Sequence, residues 1–156
     1  MKRLIVGCGP EYQKKSKDDV TMDFKKAFSP DVVFNISQGK KWPFEDNTFD
    51  ELEAWHILEH VEGFDNYRKC MEEMYRVLKV GGELNIKVPY WKHRSAVETA
   101  DHVRFFSENS FHDWQTTNPY LEEMEYKVKF EQIAEGLNND HLNEPSEVFC
   151  IMRKLA

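Results

Sequence analysis

Ten residues, Pro10 to Asp19, separate the first apolar run of this chain from the second. Leu4-Ile5-Val6 is short and wholly apolar, and Gly7-Cys8-Gly9-Pro10 stops it, the pattern of a buried strand running into a tight loop. Val20 to Phe24 reads as the next strand. Parallel neighbours need a crossover of a dozen or more residues, usually carrying a helix. The gap therefore predicts a first crossover helix that is absent or reduced to a single turn.

The rest of the chain alternates in the same way. Asp31 to Ile36 reads as a third strand, Trp42 to Asn47 as a loop and Phe49 to Trp55 as a fourth strand. A helix is expected over Phe64 to Lys79, because Phe64, Tyr67, Met71, Met74 and Leu78 recur at steps of three and four. Gly81-Gly82 is expected to close it. Leu84, Ile86 and Val88 alternate with polar residues up to Pro89, which predicts a fifth strand. Ser107 to Trp114 reads as a short helix with Ser107 as N-cap. Glu125 to Ile133 and Glu147 to Arg153 read as a closing hairpin pair across a long connection, with Asn138 to His141 in a mobile loop. The sum is an α/β fold, Rossmann-like, with a mostly parallel seven-stranded sheet, a terminal antiparallel hairpin and one domain over residues 1–156. Glu51 and Glu53 alternate with Leu52 and Ala54, and Asn85 and Lys87 with Leu84 and Ile86. A parallel sheet covered on both faces reads apolar throughout, so one face should be thinly covered, with Glu53 and Lys87 near enough to pair.

A net charge of -7 argues against a duplex-binding surface, and acidic residues accompany the local lysine clusters, so no nucleic-acid partner is expected. Cys8, Cys70 and Cys150 are odd in number and form no CxxC pair, which fits reduced thiols in a cytoplasm better than a zinc ribbon or a disulfide framework. The apolar stretch at Leu4 to Val6 is too short for a signal peptide, and no segment approaches a membrane span.

Ligands of open α/β sheets bind beyond the carboxyl ends of the strands. Gly7 and Gly9 sit at such an end, where their amides can face a carboxylate or phosphate, although a tight turn without a ligand would read the same. Tyr12 occupies the third glycine position of the dinucleotide fingerprint, which counts against NAD. Asp23 ends the second strand, where a carboxylate can accept from both ribose hydroxyls or simply face solvent.

Taken in order, Leu4-Ile5-Val6-Gly7-Cys8-Gly9-Pro10, Asp23, Pro43 to Asp50, His56-Ile57-Leu58-Glu59-His60 and Arg76 to Gly82 resemble a class I S-adenosylmethionine (SAM)-dependent methyltransferase of the small bacterial and phage type. The resemblance covers residues 3 to 114. It implies that Gly7, Cys8 and Gly9 line the methionine moiety, that Asp23 holds the ribose with Phe24 beside it, that Asn35 and Ile36 flank the adenine, and that Trp55 and His56 lie beside the sulfonium. Ile5 stands where many relatives carry an acidic or amide residue, and Asn35 replaces a frequent Asp. The expected function is methyl transfer from SAM to an oxygen of a small or glycan-like acceptor. The other reading is a SAM- or nucleotide-binding module whose histidines are structural.

His56-Ile57-Leu58-Glu59-His60 has three readings. On a helix, HxxEH is the inverted zinc-peptidase motif, but no third-ligand helix is evident. Some quinone and terminal-ribose O-methyltransferases carry a similar segment plus a later His, which implies a divalent ion on His56, Glu59, His60 and His102. Three histidines and one carboxylate would suit a borderline transition metal. Without a metal, His60 or His102 would be the acid or base, or Glu59 and His60 would only brace the chain. Arg104 could pair with an acidic substrate or with a nearby carboxylate. Tyr90, Trp91 and His93 could rim an acceptor pocket or pack against Phe105, Phe106, Phe111 and Trp114.

Overall fold

The computed structural model describes residues 1–119, 123 and 125–156. Its strands are β1 (Arg3–Val6), β2 (Val20–Asp23), β3 (Val32–Val33), β4 (Phe49–Trp55), β5 (Leu78–Pro89), β6 (Phe130–Asn139) and β7 (Pro145–Lys154), with one α-helix, α1 (Phe64–Val77). They form a single seven-stranded sheet in the order β3-β2-β1-β4-β5-β7-β6. β1 to β5 pair in parallel, and β7 lies antiparallel between β5 and β6. The strand order reverses beside β1, which brings its loop and that of β4 to one end of the sheet.

No helix joins β1 to β2, as the ten-residue gap requires. The loop instead straps itself across the sheet. Lys15 Nζ reaches Glu53 Oε1 at 2.9 Å, and Arg3 Nε reaches Asp19 Oδ1 at 3.4 Å. α1 covers the other face, where Leu4, Val6, Leu52, Ala54, Leu84 and Ile86 join Met71, Met74 and Val77 in one buried core. Tyr67, Met71, Met74 and Leu78 are buried as the periodicity predicts, but Phe64, at the helix start, is 53% exposed.

Several expectations are corrected. β3 shrinks to Val32–Val33, and Ile36 opens a 3-10 turn capped by the Asn35 side chain, which accepts from Ser37 N. α1 ends at Val77, because Leu78 already adopts an extended conformation and opens β5 opposite Phe49. Gly81-Gly82 therefore lies inside the strand. A Cβ on Gly82 would meet Asp50 O at 2.8 Å, so its absence admits the neighbouring backbone rather than closing a helix. Ser107 to Trp114 is not an α-helix. Ser107 N donates to Ser110 Oγ, and only His112–Trp114 forms a 3-10 turn, a case of short polar side chains competing with the helical ladder. The last hairpin is displaced, with β6 starting at Phe130 and a short turn replacing the long connection. Asp140 Oδ1 orders that turn by accepting from Leu142 N and Glu144 N.

The face away from α1 carries no helix among the described residues, as its polar alternation predicts. The expected pair on it does not form. Register sets Glu53 opposite Asn85 and Lys87 opposite Trp55. Glu53 goes to Arg3 Nη1 at 2.7 Å and to Lys15, while Lys87 Nζ sits over the Trp55 ring at 4.4 Å.

Candidate active site

At the carboxyl ends of β1, β2 and β4 lies a cleft of about 400 Å³, within the range of small-ligand pockets. Gly7 and Gly9 form its floor at positive φ of 71° and 64°. Gly7 cannot be replaced without displacement, since a Cβ would meet the Ile57 side chain at 2.7 Å. Asp23 is buried at the end of β2, where Oδ2 accepts from Gly9 N at 3.1 Å and Oδ1 from Lys25 N at 2.9 Å. Each oxygen keeps one acceptor site for a ligand hydroxyl. Phe24, Asn35 and Ile36 line the same wall, together with Lys25, Phe28, Phe34 and Ser37.

The opposite wall is built by the segment after β4. His56 holds a left-handed backbone, φ 51°, an uncommon state for a residue with a side chain. Its Nε2 meets Glu147 Oε1 at 2.5 Å, and its Nδ1 lies 3.5 Å from Glu59 Oε1. The Glu59 carboxylate, opposed by burial and helped by Glu147, raises the His56 imidazolium above the ordinary histidine range. Burial pushes Glu147 up, but His56 and Asn138 outweigh it and hold the carboxyl below its usual value. His60 and Asp101 also line the cleft.

Behind them, one ligand atom each from Glu59, His60 and His102 fall within 4.8 Å of one another. Glu59 is 1% exposed; neither oxygen has a partner at hydrogen-bond geometry, and its ion-pair contact is His56 Nδ1 at 3.5 Å. The His60 and His102 rings meet edge-on with centroids 4.8 Å apart. His102 Nδ1 lies 3.2 Å from Ala96 O and His60 Nδ1 lies 3.3 Å from Asp101 O. Donation of Nδ1–H to each carbonyl leaves the Nε2 lone pairs free. His56 stands outside this three-residue group.

Of the other residues singled out in the sequence, Cys8 and Trp55 do not line the cleft. They border a small recess with Tyr12 and Glu53. The alternation of β4 held that signal, since Trp55 is in phase with Glu51 and Glu53 and so points to the uncovered face. Tyr90 packs inward, 6% exposed, while Trp91 is 48% exposed. Lys25, Phe28, Asp101 and Glu147 went unread. Only Asp101, beside His102, had a local signal; Glu147 reaches His56 from 91 residues away.

A family profile described as Methyltransferase domain matches residues 6–86, just over half of the chain. The chain belongs to this methyltransferase family. Solved structures agree on the fold. The N-methyltransferase NodS of Bradyrhizobium japonicum superposes with a TM-score of 0.69 at 14% identity, covering 99% of this chain and 86% of NodS. NodS is also solved with S-adenosylhomocysteine (SAH), and that structure gives a TM-score of 0.63 at 14% identity over 98% of this chain and 77% of NodS. A candidate methyltransferase in complex with the Haloferax volcanii Trm112 methyltransferase activator gives 0.67 at 12% identity, covering 99% of this chain and 83% of that one. In sequence, 92 residues are 33% identical to the uncharacterized protein MJ0638 of Methanocaldococcus jannaschii, over 54% of this chain and 39% of that protein. This methyltransferase thus spans well under half the length of that relative. Its fold is that of the class I SAM-dependent methyltransferases, and no helix among its described residues is long and apolar enough to cross a membrane.

Proposed function

We propose that this domain transfers a methyl group from SAM, bound in the 400 Å³ cleft, to an oxygen of a small or glycan-like acceptor presented at His60 and His102. One observation carries the reading: Gly7, Gly9, Asp23, Asn35 and Ile36 share a cleft with His56 and His60. When bound, SAM supplies an electrophilic methyl on a sulfonium. The two glycines let backbone approach its methionine end. The spare acceptor sites of Asp23 suit a ribose diol, and Ile36 offers an apolar surface to a base. His60, with Nδ1 turned to Asp101, keeps Nε2 as a proton acceptor at the cleft. Much of the rate then comes from holding the acceptor oxygen in line.

Calorimetric titration with SAM, SAH and NAD tests the reading. Binding of the first two at micromolar concentration without NAD supports it, and no binding of either sinks it. Asp23→Ala should weaken SAH several-fold; undiminished affinity would remove the ribose assignment.

The Glu59 environment favours a second element. A buried carboxylate is costly unless cations meet it, and His56 Nδ1 at 3.5 Å is a loose partner that leaves Glu59 room for another. Two imidazoles and one carboxylate fit a borderline divalent ion that keeps an open position, where it would lower the pKa of an acceptor hydroxyl. Glu59, His60 and His102 would hold it, with His56 lying between Glu59 and Glu147. Zinc or manganese titrated into chelator-treated protein should bind with about one equivalent, and Glu59→Gln should abolish that binding. Equal uptake by the variant would discard the metal.

A further inference from the structure

A second recess opens on the far side of the Glu59 segment. About 240 Å³ in size, it is lined by Phe64, Tyr67, Arg104, Phe106, Trp114 and Tyr126. Trp114 and Tyr126 stack at 4.4 Å, and the Arg104 guanidinium lies 4.2 Å over the Tyr67 ring. Phe64 and Phe105, 53% and 55% exposed, leave an aromatic rim open to solvent.

Arg104 is the unusual member. Its Nη2 donates to Gly63 O at 3.0 Å and to Val61 O at 3.4 Å, while its Nε–H is enclosed with no acceptor. No carboxylate among the described residues lies within ion-pairing distance of it, the exposed Asp113 at the rim included. A partly buried guanidinium with five donors, held only by two carbonyls and the face of Tyr67, has capacity left for a carboxylate. The flat walls choose what carries the other half. Aromatic rings stack on one another and gain beyond the area they bury. The recess is smaller than the usual 300–1,000 Å³ of a complete ligand site, so it suits one ring, the end of a larger molecule.

Its position ties that end to the methyl-transfer cleft. Arg104 follows His102 by two residues, about 7 Å of extended chain. The amides of Val103 and Arg104 both donate to Glu59 O, at 2.9 and 3.2 Å. One stitched segment thus presents an imidazole to the histidine site and a guanidinium to the aromatic recess. We infer that the recess between α1 and Trp114 binds the non-reacting end of the acceptor, an aromatic ring bearing a carboxylate that pairs with Arg104.

This rests on the methyltransferase reading of the cleft, and the test keeps the two apart. SAH-saturated protein is titrated calorimetrically with 4-hydroxybenzoate and, separately, with glucuronate, a carboxylate on a sugar ring. Millimolar or tighter binding of 4-hydroxybenzoate is expected, weakened at least tenfold by Arg104→Met and several-fold by Phe64→Ala. SAH affinity should stay within twofold in both variants, since neither residue lines the SAM cleft. Phe64 is half exposed, so its variant remains informative should Arg104→Met fail to fold. No binding of 4-hydroxybenzoate, equal binding by both variants, or binding of glucuronate in its place overturns the inference. Arg104-dependent binding in a protein that does not take SAH would keep the recess and discard the cofactor reading instead.

Discussion

The two faces of the sheet solve the same problem by different physics. Toward α1, Leu4, Leu52, Ala54 and Leu84 are fully buried, and stability there comes from apolar area removed from water. On the other face the same strands present Arg3, Glu51, Glu53, Asn85 and Lys87. No helix among the described residues lies over them, and polar groups meet within the layer: Arg3 with Glu53, Lys15 with Glu53, Arg153 with Glu83, and Asn85 Nδ2 donating to Glu51. An α/β sheet can therefore lose one helical layer if the polar side chains of that face satisfy one another. The short first crossover fits this arrangement, since a loop with Lys15 and Asp19 at hand needs no amphipathic helix.

If the contrast is right, the largest loss should come from the covered face. Met71→Ala removes a fully buried side chain from α1 and should cost about 3 kcal/mol, inside the range of about 2–5 for such truncations. Urea unfolding measures it. A loss below about 1 kcal/mol would mean that α1 contributes little beyond cover.

Glu73 sharpens the contrast, because it is a charge buried on the helical side. It accepts from Trp42 N at 2.7 Å and from Arg76 Nη2 at 2.7 Å, and Lys69 Nζ lies 3.1 Å away. Burial pushes its carboxyl up, but Arg76, the Trp42 amide and Lys69 outweigh it and hold it below the ordinary glutamate value. A depressed folded pKa gives stability that is present above the unfolded value, about 4.3, and lost as pH falls through the folded one. Glu73→Gln should cost about 2–3 kcal/mol at neutral pH, as expected for hydrogen bonds to charged groups. It should also flatten part of the acid limb of the stability curve. An unchanged acid limb would assign that limb to other carboxylates.

Much of this layout was legible because it is local. The gap from Pro10 to Asp19, the alternation through Phe49–Trp55 and the start of α1 at Phe64 each follow from a pattern shorter than one element. What failed depends on partners far along the chain. β6 begins at Phe130 rather than Glu125 because pairing with Lys154 at the end of β7 sets its register. Gly81-Gly82 reads as a helix stop until the backbone of Asp50 is beside it. The site divides in the same way. The glycines, Asp23 and the HxxEH segment are motifs, whereas the Glu147 bond to His56 and the aromatic recess around Arg104 exist only once the sheet has closed.

Glu53 comes next in magnitude. It is 3% exposed on the uncovered face, and its Oε1 serves both Arg3 and Lys15. Its bond to Arg3, opposed by burial and joined by the Asp19 charge, raises the guanidinium pKa. Glu53→Gln should cost about 1.5–2 kcal/mol, less than the covered-face changes, because Asp19 remains 3.4 Å from Arg3 Nε to hold the charge. The loop should loosen with it. Amide hydrogen exchange across residues 11–19 should quicken, while exchange in α1 should not. Equal quickening in both would show the two faces unfolding as one unit.

The smallest effect belongs to Lys87, whose Nζ lies 4.4 Å over the Trp55 ring with Trp55 itself 36% exposed. A solvent-facing cation–π contact is worth about 0.5–1 kcal/mol. Lys87→Ala should therefore cost less than about 1 kcal/mol, and Trp55 should become more open to aqueous quenchers. The loss should stay small because Lys15 Nζ already lies 5.2 Å from the same ring and can take over part of the contact. A loss of about 2 kcal/mol or more would put this face on the same footing as the buried one. The uncovered strands would then owe their stability to packing, and the division between an apolar face and a self-paired polar face would fall.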